Sequence, residues 1–262
     1  MNGLRKLGGD LLGLRRVCGT RLTARWGWSL MRNWRGVVKS RNLKQADAAL
    51  GPGPFKVHHP AASSAFEIAG PEAVSGIREM YVRDAYLSDG LLKIRDGDVV
   101  VDLGANMGNF TNLALAHGPS VRVIAVEPSA RLNDLFEVSV TRNGWRDRVT
   151  LLRAFVGTDL SDPVAVAHAD EYKGAELLSE ADLIERAGLE KIDFLKCDIE
   201  GGEFALLRQG SKLLQMTDKI GVEVHAFGGN VSGFIEMIEK SGFNLLHVKT
   251  DPSGTRTVLA RR

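Results

Sequence analysis

The sequence predicts an α/β fold, a doubly wound, mostly parallel seven-stranded sheet that ends in an antiparallel hairpin. Three observations predict it. From Asp98 onward, short continuous apolar runs alternate with helical segments, the pattern of strands covered on both faces. The first run leads through a glycine turn into a helix. The last two runs are parted only by Asp251-Pro252-Ser253-Gly254, too short for a parallel crossover.

Residues 1–50 form a basic, moderately amphipathic extension. Gly51-Pro52-Gly53-Pro54 and His58-His59-Pro60 interrupt regular structure, so residues 51–70 are expected to be a linker and 71–262 the domain. Ala73, Ile77, Met80, Tyr81 and Leu87 recur at helical spacing over 72–90. The first strand is Val99–Val101, and the helix after it runs from Asn109 to His117. Val121–Val126 is the second strand, and Ser129 caps a helix that stops at Gly144. Val149–Leu152 is the third strand; residues 157–176 are polar and irregular. Ser179 and Asp182 make a capping box for a helix ending at Gly188. Ile192–Cys197, a helix over Glu203–Arg208, Ile220–Val224 and a helix over Phe234–Lys240 follow. Phe243–Val248 and Thr255–Ala260 close the chain as the hairpin.

With 44% hydrophobic and 25% charged residues among 262, the chain can bury a core unaided by metals or disulfides. Its two cysteines, Cys18 and Cys197, give no zinc spacing and no disulfide framework, so a reducing, cytoplasmic setting is expected. No run reaches the ~18 apolar residues of a membrane span, and Asp10, Arg15 and Arg16 break any secretory core segment. The net charge of +2 conceals an asymmetry. Residues 1–45 hold eleven Lys/Arg and one acid, Asp10, a balance of +10 that leaves −8 for the rest. Trp26, Trp28 and Trp34 interleave these cations. Peripheral contact with an anionic membrane is the expectation for 1–45. Packing on the domain or on a second subunit stands as the alternative, and phosphate binding to nucleic acid ranks last.

Asp102-Leu-Gly104-Ala105-Asn106-Met-Gly108-Asn109-Phe110 is a strand-end acid followed by a G-x-x-x-G turn and a helix start. In a doubly wound sheet this is the place for a nucleotide-like ligand. Asn106 and Asn109 stand where the dinucleotide fingerprint needs glycine. The turn suits S-adenosyl-L-methionine, which has an ammonium, a carboxylate and a ribose diol but no phosphate. Asp102 is expected to offset the ammonium, directly or through water, and the amides of Ala105 and Asn106 to meet the carboxylate. Glu127-Pro128 ends the second strand, 25 residues after Asp102, the position of a ribose-hydroxyl acceptor.

Lys196, Asp198 and Glu200 alternate along the fourth strand and its exit, so they share one face. Glu223 and His225 do the same on the fifth. Charges at the tips of buried strands are costly unless paired or used. His225, Asp198 and Glu200 are the candidate bases. Asp198, Glu200 and Glu223 offer oxygens that could take Mg²⁺, but without consecutive acids no metal is favoured. Tyr81, Arg83 and Asp84 are candidates for a lid over the cofactor.

Val-Val-Asp-Leu-Gly-Ala-Asn-Met-Gly, Ala-Val-Glu-Pro, Ile-Asp-Phe-Leu-Lys-Cys-Asp-Ile-Glu-Gly-Gly-Glu and Val-Glu-Val-His together resemble the FkbM-type methyltransferase family, over roughly residues 80–250. The resemblance implies a Rossmann-like S-adenosylmethionine-dependent fold and O-methylation of a sugar or polyol hydroxyl in a glycan or natural product. It implies that Asp102, Gly104, Asn106, Gly108 and Glu127 hold the cofactor and that Lys196, Asp198 and Glu200 line the acceptor side. Two rivals stand beside it. One is an RNA methyltransferase, suggested by the basic arm but lacking an Asn/Asp-Pro-Pro-Tyr/Phe element. The other is a cofactor-binding module in which the strand-end charges merely pair.

Overall fold

The computed structural model describes residues 2–40, 42–88, 90–157, 172–251 and 253–262, with side chains from Lys6 onward. In chain order the elements begin with α1 (Asn2–Arg32), α2 (Trp34–Ser40), α3 (Lys44–Ala48), β1 (Phe55–Val57), β2 (Phe66–Ile68) and α4 (Ala73–Gly76). A π-helical segment, Ile77–Val82, continues α4. Then come β3 (Val99–Leu103), α5 (Asn109–Leu115), β4 (Arg122–Val126), α6 (Ala130–Arg142), β5 (Val149–Leu152), β6 (Ala154–Val156) and β7 (Glu176–Leu178). The chain continues with α7 (Glu180–Ala187), β8 (Phe194–Cys197), α8 (Glu203–Leu206), α9 (Lys212–Met216), β9 (Lys219–Val224), α10 (Val231–Lys240), β10 (Asn244–Thr250) and β11 (Arg256–Arg261).

The main sheet has seven strands in the order β10-β11-β9-β8-β3-β4-β5. β9, β8, β3, β4 and β5 are mutually parallel. β11 runs antiparallel to both β9 and β10. All seven predicted strands are present, the last two as the predicted hairpin. Alternation along β3 shows why its valines and Leu103 must be apolar on both faces. Val100 faces the core beneath α5 and α6, while Val101 and Leu103 face the other core with Leu183, Leu213 and Ile238. The caps also form as predicted. Ser129 Oγ accepts from Leu132 N–H, and Ser179 with Asp182 makes the reciprocal box, closed by Gly188 in the left-handed region.

The first seventy residues depart from expectation. Residues 51–70 are not an irregular linker. β1 and β2 pair antiparallel, with Phe55, Val57, Phe66 and Ile68 buried. The prolines and glycines lie outside the two strands and leave their alternation intact. His58 N–H donates to Val17 O, and Asn143 binds both backbone groups of Glu67, tying the ribbon between α1 and α6. The extension packs on the domain through Leu14, Val17, Leu22 and Trp26, all in the core that holds Val100 and Phe110. Gly13 allows α1 to approach closely, since a Cβ there would lie 2.2 Å from Val82 Cγ1. Asp10 and Asp47, both buried, share Arg78, and Trp26 Nε1 donates to Asp47 at 2.7 Å. The helix expected over 72–90 is shorter, since it passes into the π-helical segment and then turns. Of the stretch 157–176, residues 158–171, His168 among them, lie outside the described residues.

Candidate active site

The parallel strands end together, and a cavity of about 180 Å³ opens at their carboxyl ends. Gly104, Asn106, Glu127 and Pro128 line one side; Asp198, Ile199 and Glu200 line the other. Leu132, Phe155 and Tyr172 supply apolar wall. Four of the nine predicted cofactor residues thus line it; Asp102, Ala105, Gly108, Asn109 and Phe110 do not.

The glycine turn is fixed from behind. Gly104 and Ala105 N–H both donate to Val126 O at 3.0 Å. Gly104 has φ 71°, and a Cβ on it would lie 1.8 Å from Asp198 O, so only glycine lets β3 and β8 exit side by side. Gly108 (φ 84°) precedes α5 directly and passes close to Phe136. Phe110 packs between Tyr86 and Phe194. Tyr81 is fully buried, and its hydroxyl donates to Asn109 O at 2.8 Å. Arg83 binds Asp10, and Asp84 is buried 4.0 Å from His59. None of the three lid candidates lines the cavity.

Two cofactor assignments need correction. Asp102 does not face the cavity. It is fully buried, accepts from Thr111 Oγ1 at 2.7 Å and sits 3.3 Å from Lys196 Nζ. The amides of Ala105 and Asn106 are also committed, to Val126 O and to Glu127 Oε2. Glu127 stands where expected. Its Oε2 accepts from Asn106 N–H and its Oε1 from Ser129 N–H, each at 2.9 Å. Each oxygen keeps a second lone pair for a further donor. Burial raises its pKa, against the pull of those two N–H groups.

The opposite wall holds linked charges. Lys196 is buried, and its ammonium donates to Leu103 O and Gly104 O at 3.1 and 2.6 Å. Burial alone would lower its pKa, but Asp102 and Asp198 outweigh this and raise it. Lys196 therefore does not line the acceptor side; it fastens the glycine turn. Asp198, at the exit of β8, lies 3.4 Å from Tyr86 Oη, whose one proton it shares with Glu223. His225, at the end of β9, is 3.8 Å from Asp198 Oδ1 and 3.5 Å from Glu200 Oε2 through Nε2. Its Nδ1 lies 2.6 Å from Glu203 Oε1, on the fully buried Glu203. Burial opposes the imidazolium, yet Glu203, Asp198 and Glu200 overcome it and lift His225 to about 9. Burial also raises Glu200, against the attraction of His225.

Donor atoms of Asp198, Glu200 and His225 all lie within 4.8 Å of one another, a set that could hold a divalent cation if His225 were neutral. Glu223, named with Asp198 and Glu200 for Mg²⁺, is not in that set. It accepts from Tyr86 Oη–H at 3.1 Å and faces a second cavity bounded by Lys6, Arg83 and Thr257. Burial and the charge of Asp198 push it to about 7. Sequence reasoning missed Tyr86 and the pairing of Glu203. Tyr86 lay in a stretch read only as a helix, whereas Glu203 was visible as a first-turn acid whose partner only the fold reveals. Cys197 is buried on the other core.

Among curated proteins, AMB antimetabolite synthetase AmbE of Pseudomonas aeruginosa is 24% identical, over 64% of this chain and 10% of that protein. The chain thus spans about a tenth of that relative's length. Fibrillarin of Aeropyrum pernix, solved with natively bound S-adenosyl-L-methionine, has 16% identity and a TM-score of 0.43, covering 68% of this chain and 73% of that one. Precorrin-6y C5,15-methyltransferase of Geobacter metallireducens has 16% identity and a TM-score of 0.44, covering 69% and 88%. The Methyltransferase FkbM domain matches residues 102–245, which run from the buried acid at the tip of β3 to the start of the hairpin. That is more than half of the chain and contains both walls of the cavity, so the chain belongs to the FkbM methyltransferase family, whose members depend on S-adenosylmethionine.

Proposed function

We propose that the enzyme transfers a methyl group to a hydroxyl of a sugar in a glycan or glycosylated natural product. The observation that carries this reading is that two acids, Glu127 and Asp198, line one cavity. Glu127 keeps lone pairs for a diol, and opposite it the Asp198 carboxylate adjoins an imidazolium. The side chains that line the cavity suit the cofactor. Its apolar side, Leu132 and Phe155 with Tyr172, suits a purine, and Glu127 suits the ribose. In place of Asp102, Glu200, which lines the cavity, is the acid that would offset the positive charge of the cofactor. When bound, S-adenosylmethionine supplies an electrophilic methyl on a sulfonium.

The chain's own residues then align and deprotonate. A hydroxyl is too weak an acid to ionise at neutral pH, so its proton leaves as the oxygen attacks. With a pKa of about 9, His225 already carries its proton at pH 7 and is a poor base. We assign the proton to Asp198, with Glu200 beside it to orient the acceptor. His225 holds both carboxylates, and Glu203 holds His225. Lys196 keeps the glycine turn closed against β8. Holding the reactants in line is worth up to ~7–11 kcal/mol.

The test is transfer of a labelled methyl group to a panel of glycans and, in parallel, to RNA. Label on a sugar hydroxyl supports the reading. Label on RNA alone overturns the acceptor class, and no transfer to any acceptor leaves a binding module.

A further inference from the structure

Ten large apolar side chains are exposed among the described residues, and five of them, Leu12, Trp28, Met31, Trp34 and Val38, fall between positions 12 and 38. Four form one row. The helical ladder continues from α1 to α2, since Asn33 N–H donates to Ser29 O and Val37 N–H to Asn33 O, both at 3.0 Å. Trp28, Met31, Trp34 and Val38 therefore follow each other at spacings of three and four on the outer side. Trp26, Ser29 and Val37 occupy the inner side and are buried. The outer residues are strongly exposed: Trp28 61%, Met31 65%, Trp34 49% and Val38 55%.

The charges around the row have one sign. Arg21, Arg25, Arg32, Arg35 and Lys39 are exposed. Asp10 and Asp47, the acids of this region, are turned inward onto Arg78. The helix has thus sorted its charge, with anions in the core and cations outside. Arg25 and Arg32 flank Trp28 over a hollow that also touches Ser29 and Asn33. A second copy of the chain would bring like charge onto like charge. Nucleic acid would satisfy the arginines, but Met31 and Val38 gain nothing from phosphate. Cations beside tryptophans and aliphatic groups match a surface with phosphate outside and hydrocarbon just beneath. No described helix is long and apolar enough to cross a membrane, so contact would be in the interface plane.

We infer that the outer face of α1 and α2, Trp28-Met31-Trp34-Val38 with its flanking arginines, docks on an anionic lipid surface. The tryptophans and Val38 enter the headgroup boundary, and Arg25, Arg32 and Arg35 meet lipid phosphates. This does not depend on the acceptor proposed above.

The experiment is sedimentation of the full chain with phosphatidylcholine vesicles with and without phosphatidylserine, at low and high salt. Brominated lipids serve as tryptophan quenchers in parallel. The intact chain should bind the anionic vesicles, lose binding in high salt and show quenching. Trp28→Ser with Trp34→Ser should lower partitioning about tenfold and abolish most of the quenching. Removing Arg32 and Arg35 should cost about fivefold each. All these side chains are exposed, and circular dichroism melting checks that the variants stay folded. Absence of binding to anionic vesicles at low salt would overturn the inference, as would unchanged binding of the tryptophan variant. Tighter binding to homopolymeric RNA than to vesicles would assign the face to nucleic acid and overturn it as well. Concentration-dependent dimerisation abolished by the tryptophan changes, without vesicle binding, would assign it to a second copy.

Discussion

The two walls of the cavity use acids in opposite ways. At the tips of β3 and β4 each carboxylate has short, fixed partners. Asp102, buried behind the wall, has Thr111 at 2.7 Å and Lys196 at 3.3 Å; Glu127, which lines the cavity, has two backbone N–H groups at 2.9 Å. At the tips of β8 and β9 His225 lies 3.8 Å from Asp198 and 3.5 Å from Glu200. Only Glu203, from beneath, closes on the imidazole at hydrogen-bond distance. The first wall can hold a ligand in one pose without moving. The second can change protonation, because no short bond locks its outer carboxylates. In the function proposed above, binding and proton transfer thus fall to neighbouring strands.

The largest effect should come from the joint between the walls. Gly104→Ala would put a Cβ 1.8 Å from Asp198 O at φ 71°, where the β3 turn meets the β8 exit. The positive φ alone costs on the order of 1 kcal/mol, and the backbone clash adds more. We expect lost turnover and a melting temperature several degrees lower by calorimetry; wild-type activity would break the claim that the walls share this contact. The next effect belongs to the second wall alone. Asp198→Asn should lower kcat by about 10²–10⁴, with cofactor affinity, read by titration calorimetry, changed only a few-fold. Equal loss of affinity would make Asp198 a binding residue and erase the contrast.

These contrasts were partly legible in the sequence. The seven strands were, because each holds a short apolar run, as in Val99-Val-Val101 before Asp102 and Phe194-Leu195 before Lys196. The place of Glu127 at the cavity was legible because it follows from chain distance along one β-α-β unit. Asp102 and Lys196 were misplaced for a physical reason. Alternation tells which residues share a face, but not that the β3 and β8 registers set Lys196 beside Asp102. Once adjacent in the core, they neutralise each other. The ribbon at 55–68 was hidden by its glycines and prolines, although Phe55, Val57, Phe66 and Ile68 already alternated with polar residues. Tyr86 joins Asp198 to Glu223 across more than a hundred residues, a link that no local pattern encodes.

A third change probes the first wall. Glu127→Gln keeps the shape but replaces one acceptor oxygen with an amide that cannot accept from the N–H it faces. Cofactor affinity should fall about 10–100-fold, the range of one or two charged hydrogen bonds. The kcat at saturating cofactor should stay within a few-fold of the native value. A large loss of kcat with unchanged affinity would place Glu127 in the chemistry.

The fourth is a pH effect on stability. His225 sits at about 9 in the folded protein against 6.5 for a free imidazole. A raised pKa means that the folded state binds the extra proton between those values. The stabilisation is therefore complete below about 6.5 and is lost as pH rises through about 9. The melting temperature should fall by a few degrees across that window. His225→Gln should melt lower at pH 7, because Glu203 is left buried without its partner, and should show a flatter profile. A native profile with no decline from 6.5 to 9 would mean that the imidazole is neutral.

The smallest expected effect sharpens the same point. Asp198, Glu200 and His225 present the donor set of a divalent site, and Glu203 on Nδ1 would orient the imidazole for a metal as well as for a proton. The two occupants exclude each other, because a protonated Nε2 has no lone pair to give. With His225 protonated at neutral pH, incubation with EDTA should leave turnover unchanged. Loss of turnover with EDTA, restored by Mn²⁺ or Mg²⁺, would put a cation where the proton is placed here. In that case the decline of stability between 6.5 and 9 should be absent from the metal-loaded enzyme and appear only after chelation. The two measurements must therefore agree, and each checks the protonation state assigned by the other.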